Sequence, residues 1–193
     1  MAARLPAARR RRQLLDVAQE VFAERGFHAT SMDEVAEAAG VTKPVLYQHF
    51  DSKRRLYREL LEDVGQQLLD AIAEATAVAQ TPRQQVENGF VAYFRFVLDQ
   101  RSAFRLLFGG GGRRDEEFAD AVRRVEDAIA EAIAVLIEAD IDADHRLMLA
   151  QGLVGLAEGT GRYWVANGLD LDPDVVAARI ADLAWAGLRA VHR

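Results

Sequence analysis

Gly26-Phe27-His28-Ala29-Thr30-Ser31-Met32-Asp33-Glu34-Val35-Ala36-Glu37-Ala38-Ala39-Gly40-Val41-Thr42-Lys43-Pro44-Val45-Leu46-Tyr47-Gln48-His49-Phe50-Asp51-Ser52-Lys53 is the stretch from which the fold can be read. Ser31 and Glu34 have the spacing of a reciprocal capping box, so a helix starts at Ser31. Val35, Ala36 and Ala39 give that helix one buried side. Gly40-Val41 supplies a tight turn, Thr42 is placed to cap the next helix, and Pro44 falls in its first turn, where a missing N–H costs little. The second helix is expected to run to about Phe50. Small side chains at Ala36 and Ala39 allow two helices to cross closely at a steep angle. The pattern is that of a helix-turn-helix. Val45, Leu46 and Phe50 are expected to face a core, leaving Lys43, Pro44, Tyr47 and Gln48 to project outward.

The outward set has the chemistry to read a duplex. Lys43 can reach guanine O6/N7 or a phosphate, and Gln48 can pair with adenine. Tyr47, His49 and Lys53 suit phosphate contacts, which set position rather than sequence choice. Thr30, Ser31 and Thr42, at the two helix starts, complete the predicted contact set. The net charge of −6 is unevenly spread. Residues 1–60 hold 11 Lys/Arg against 8 Asp/Glu, and residues 61–193 hold 13 against 22, so a basic head precedes an acidic body. The only two lysines, Lys43 and Lys53, both fall in the head. Arg4 and Arg9 to Arg12 suggest a basic arm reaching DNA, with residues 1–8 disordered.

Outward from this segment the chain of 193 residues reads as all helix, in about nine pieces. Helix 1 is expected over 8–25, ended by Gly26. Asp51-Ser52 starts a long helix 4 to about Ala79, and Thr81-Pro82 starts helix 5. A short helix spans 102–108, helix 7 covers 115–139, Asp142 caps helix 8 to Asn167, and Asp172-Pro173 opens helix 9. Residues 1–53 form the expected DNA-binding domain, and residues 54–193 a ligand-binding and dimerisation domain. Phe90, Phe94, Phe104, Phe108, Tyr163 and Trp164 are the aromatics expected to line an apolar pocket. Gly152, Gly155 and Gly159, with Leu183, Gly187 and Leu188, suggest a close helix contact between two copies.

Other chemistries find no footing. There is no cysteine, which removes disulfides, thiolate metal sites and a cysteine nucleophile. Asp140, Asp142 and Asp144 alternate like a calcium loop, but His145 stands where the glycine belongs and Gln151 where the glutamate belongs. Gly109–Gly112 lacks the Gly-Lys-Ser/Thr ending of a phosphate loop. His28, His49, His145 and His192 show no ligand spacing, so no metal and no cofactor is implied. No apolar run is long enough for a membrane span, and no apolar signal segment follows the arginines, so a cytoplasmic protein is expected.

The quoted stretch closely resembles the DNA-binding signature of the TetR family of bacterial regulators, which commonly carries glycine where Pro44 stands. Lys43-Pro44-Val45-Leu46-Tyr47-Gln48-His49-Phe50 is similar to an actinobacterial branch. Together with Phe104-Arg105-Leu106-Leu107-Phe108 and residues 152–164, it resembles mycobacterial regulators of fatty-acid synthesis that sense long-chain acyl-CoA. The resemblance implies a homodimer joined through its last two helices. It also implies a double-stranded operator as partner, and a small apolar effector such as an acyl-CoA that moves helix 4 and releases DNA, as a repressor would. The competing expectation is a helical small-molecule carrier or enzyme whose head is incidental.

Overall fold

In the computed structural model, which describes residues 6–109 and 115–191, every regular element is a helix. Arg4, Gly110 to Gly112, Arg113, Arg114 and His192 lie outside the described residues. α1 (Ala7–Ala29) buries Leu14, Leu15, Ala18 and Phe22. Gly26, at φ +79°, breaks the helix as expected, but the chain resumes for one more turn to Ala29. That conformation is one that only glycine adopts cheaply. Arg9 to Arg12 lie on α1 itself rather than in an arm. Arg11 pairs with Glu59, and Arg12 holds both oxygens of Asp63 at 2.7 Å.

α2 (Met32–Ala38) begins with the expected capping box: Glu34 N–H donates to the Ser31 hydroxyl at 3.2 Å, and Ser31 N–H donates to the Glu34 carboxylate at 2.7 Å. Gly40, at φ +63°, makes the turn. α3 (Lys43–Tyr47) is shorter than expected, ending before Phe50, and the Thr42 side chain does not cap it. A cap oxygen accepts from the second or third helical N–H. Here the second helical residue, Pro44, has none, and the third, Val45, donates to the Thr42 backbone carbonyl at 2.9 Å instead of to its hydroxyl.

α4 (Lys53–Ala77) is capped by the Ser52 hydroxyl, which accepts from Arg55 N–H at 3.1 Å. It runs from the head into the body. α5 (Pro82–Asp99), capped by Thr81, lies between α4 and α9 (Pro173–Val191). α6 (Arg101–Phe108) packs on α1. α7 (Glu116–Ala134), five residues shorter at its C-terminal end than expected, packs on α4 and on α8 (Ala143–Ala166), whose cap is Asp142. At the α4–α7 crossing a Cβ on Gly65 would stand 2.3 Å from Val125 Cγ2, so only glycine permits this approach. Arg83–Asp182 at 3.0 Å and Arg95–Asp174 at 2.9 Å tie α5 to α9. One apolar cluster runs from Leu14 of α1 to Ala184 of α9, so α4 is a shared element of head and body.

Candidate nucleic-acid interface and body cavity

α2 and α3 display the polar set much as their spacing predicts. Leu46 and Phe50 are fully buried and Val45 is half-buried, while Thr42, Lys43, Pro44, Tyr47 and Gln48 are exposed and His49 is half-exposed. Ser31, Lys43, Tyr47 and Lys53 border one shallow surface groove with His28 and Asp33, which sequence reasoning did not select. The Lys43 ammonium sits 2.8 Å from Asp33, which holds its pKa above the usual lysine range through that hydrogen bond. Glu34 is held below the usual carboxylate range by the Ser31 N–H and hydroxyl, helped by Arg25.

Two predicted contacts are placed differently. Thr30 is 2 % exposed, and its hydroxyl donates to the Gly26 carbonyl at 2.9 Å, so its side chain faces inward. The Lys53 ammonium donates to the carbonyls of Phe27 at 2.8 Å and Thr30 at 2.7 Å, and stands 4.4 Å over the Phe27 ring. The kink at Gly26 exposes these carbonyls at the end of α1, and the lysine closes them off. Lys53 therefore fixes the entry of α2 before it can serve as a phosphate contact.

The body holds an apolar cavity of about 930 Å³, including its open mouth. Leu68, Ile72 and Thr76 of α4, Phe90 and Tyr93 of α5, Ile129 and Ile133 of α7, and Leu153 and Ala157 of α8 contribute to its wall. Of the six expected aromatics it takes Phe90 and Phe108. Phe94 and Phe104 are core side chains packed against Trp164 and Tyr93 respectively. Trp164 is buried and its indole N–H donates to the Leu169 carbonyl at 2.8 Å, closing the chain after α8. Tyr163 is 65 % exposed and lies outside the cavity. The cavity also takes Tyr93, and Trp185, Glu126, Glu138 and Glu158, which composition did not single out.

The glycine faces are open. No atom lies within 4 Å of a Cβ built on Gly152, Gly155, Gly159 or Gly187. Met148, Gly152, Gly155, Gly159 and Tyr163 follow one another at helical spacing along α8. Leu183 is exposed on α9, whereas Leu188 is buried and turns into the cavity wall. Among the described residues no group of three or more His, Asp or Glu is placed to hold a metal, and none of the helices is long and apolar enough to cross a membrane.

Known proteins show the same architecture. Residues 14–60 match the family described as bacterial regulatory proteins, tetR family, and residues 82–187 match the tetracyclin repressor-like C-terminal domain. The chain is 37% identical over 190 residues to the HTH-type transcriptional activator FasR of Mycolicibacterium smegmatis, covering 97% of this chain and 87% of that protein. A TetR-like transcriptional regulator from Rhodococcus sp. RHA1 superposes with a TM-score of 0.79 at 33% identity, over 96% of this chain and 99% of that one. FadR of Bacillus subtilis, solved with stearoyl-CoA, has the same fold at 17% identity and a TM-score of 0.79, over 90% of this chain and 96% of its own. These relatives are regulators of transcription and not enzymes, which sets aside the carrier-or-enzyme alternative. FasR is named an activator, so kinship carries regulation without the expected repression. With both of its parts matched and a helix-turn-helix that turns Lys43, Tyr47 and Gln48 to solvent, the chain belongs to the TetR family and is a DNA-binding regulator of transcription.

Proposed function

We propose that the protein acts in the cytoplasm as a homodimer whose two heads, residues 1–53 of each chain, grip a double-stranded operator. The body, residues 54–193, takes a long-chain apolar effector of the acyl-CoA kind. The observation that carries the effector is the cavity, walled by aliphatic and aromatic side chains from six helices, α4 to α9. Small-molecule sites are concave and mostly apolar, as this one is. The stearoyl-CoA complex of FadR supports the reading in that the same fold accommodates a long acyl chain.

The DNA contacts are Ser31, Thr42, Lys43, Pro44, Tyr47, Gln48 and His49, with Lys53 acting chiefly as their support. Dimerisation uses the open face of α8 at Gly152, Gly155 and Gly159 with Leu183 and Gly187 of α9. Effector and operator communicate through α4, which lines the cavity at Leu68 and Ile72 and packs under the head at Leu56 and Leu60. α7 supplies a second link. Its Ile129 lines the cavity, while its Phe118 stands 4.7 Å from both Phe27 and Tyr57. A ligand shifts DNA affinity only as far as it favours one spacing of the heads over another.

The test is a mobility-shift titration on the DNA upstream of the protein's own gene, across a salt series, with and without palmitoyl-CoA. A saturable shift that weakens steeply with salt and changes with palmitoyl-CoA is expected. A shift indifferent to palmitoyl-CoA overturns the effector class. No shift there, followed by no enrichment in a random-sequence selection, overturns the proposed contact set.

A further inference from the structure

The cavity wall repeats along the helices. On α5 it takes Pro82, Gln85, Val86, Gly89, Phe90 and Tyr93, one side of the helix for about three turns, or roughly 16 Å along its axis. Leu68, Ile72 and Thr76 do the same on α4, and Glu126, Ile129 and Ile133 on α7. A wall that recurs turn after turn on several helices encloses a channel that runs along them. The channel has a definite direction. α4 leaves the head at Lys53, so Leu68 is its lining residue nearest the head. α5 returns beside α4, with the Asn88 amide donating to the Ala75 carbonyl at 2.9 Å, so Tyr93 lies toward the head and Pro82 away from it. α7 runs the same way as α4, pairing Asp115 with Arg54 and packing Val125 against Gly65, so it too leads away from the head.

The two ends of the channel differ. Toward the head, Leu68 and Tyr93 are buried. The Phe104 ring stands 6.3 Å from Tyr93 and 5.1 Å from Phe108, which places the buried Phe108 at the same end. α6 packs on α1 and gives the wall this one side chain, its last residue, where α4, α5, α7 and α8 give theirs in series. A single ring from a helix that otherwise stays outside the channel is an end wall, and Phe104, a core side chain that is no part of the lining, backs it. The two exposed residues of the wall, Pro82 and Glu138, lie at the other end, at the start of α5 and past the end of α7. The channel is therefore blind toward the head and open at the far end of the body.

An apolar chain entering such a channel gains from each methylene it buries until it reaches the wall. Past that point an added methylene stays in water at the mouth or must displace a closely packed core. We propose that Phe108 sets the longest apolar chain the effector site accepts, the chain entering tail first between Pro82 and Glu138 and leaving its polar group at the mouth. This rests on the cavity being the effector site.

The full chain and its variants are titrated by calorimetry with octanoyl-, dodecanoyl-, palmitoyl- and eicosanoyl-CoA, each below the concentration at which it forms micelles. Parent affinity is expected to rise by up to about fourfold for each added methylene, the effect of burying one, and to stop rising within the series. Phe108→Ala is expected to move that limit to a longer chain and to leave octanoyl-CoA unchanged, because a short tail does not reach the ring. Phe108→Leu, which keeps an apolar side chain against Phe104 and so protects the fold, is expected to do the same by a smaller step. Gln85→Trp, toward the mouth, is expected to weaken all four probes, since every chain passes it. An unchanged limit in both Phe108 variants, affinity still rising at eicosanoyl-CoA in the parent, or a Gln85→Trp loss confined to the longest probe each overturns the end wall while leaving the cavity as the effector site. If none of the four binds, the effector-site reading falls, and the length limit with it.

Discussion

At the scale of single residues, polar side chains in this protein divide by whether their hydrogen bonds are complete. Tyr93 is incomplete. An unsatisfied buried polar group costs about 1–3 kcal/mol. Tyr93→Phe in the ligand-free protein should therefore be at least as stable as the parent, with a melting temperature raised by about 2–4 °C for each kcal/mol recovered. A scanning-calorimetry trace showing a clear loss would mean that the hydroxyl has a partner when no ligand is bound. Lys53 is the opposite case, with two carbonyls and a ring face in hand. Lys53→Ala should lower stability by about 1–3 kcal/mol and weaken DNA binding with it. Lys43→Ala, at an exposed site, should weaken DNA binding with stability changed by less than about 0.5 kcal/mol. Denaturant melts run beside mobility shifts separate the two roles. Sequence alone pairs these lysines as two cations in one head. What distinguishes them is the kink at Gly26, which leaves carbonyls within reach of only one.

At the scale of the elements, caps were the legible part. Ser31, Ser52, Thr81 and Asp142 each accept from a first-turn N–H where spacing places them, because a cap is a local contact of three or four residues. Thr42 is the exception: Val45 N–H, the one its hydroxyl would take, donates to the Thr42 backbone carbonyl instead. The cavity lining was less legible. Phe90, Tyr93 and Phe94 sit on one aromatic helix, and a single residue step rotates a side chain by about 100°. Which of them meets the void depends on how α5 is turned between α4, α8 and α9, and no pattern within α5 contains that. The glutamates of the cavity were hidden for a related reason, since Glu126 shares α7 with the exposed Glu116, Asp127 and Glu131, and Glu158 shares α8 with the exposed Asp144. The open glycine face of α8 gives a prediction of its own. A Cβ at Gly155 meets no atom within 4 Å, so Gly155→Leu should leave the monomer folded, its helix favoured by up to about 1 kcal/mol. In a dimer joined there, the same side chain would hold two backbones apart. Sedimentation should then show monomers, and a variant that remains dimeric would move the interface elsewhere.

At the scale of the whole molecule, the basic head and acidic body recognised in the sequence describe two ends joined by α4. The charge division holds even though Arg11 and Arg12, once assigned to a free arm, are spent on Glu59 and Asp63 of α4. They fasten the first helix of the head to the helix that enters the body, so a displacement of α4 carries the head with it. The pair between Lys43 and Asp33 has a different consequence. Before Lys43 can meet a phosphate it must leave a carboxylate, which then draws a cation from solution. The phosphate meanwhile releases one of its own condensed ions. Release and uptake partly cancel, so the contact contributes less to the salt dependence than its charge suggests. Asp33 is in this sense a built-in mimic of the DNA backbone. Asp33→Asn should raise operator affinity at low salt and steepen the slope of log K against log salt by somewhat less than one unit, about the contribution of a single phosphate contact. A slope unchanged in that variant would mean that Lys43 keeps its carboxylate when DNA is bound, and that this head grips its operator with an ion already shared.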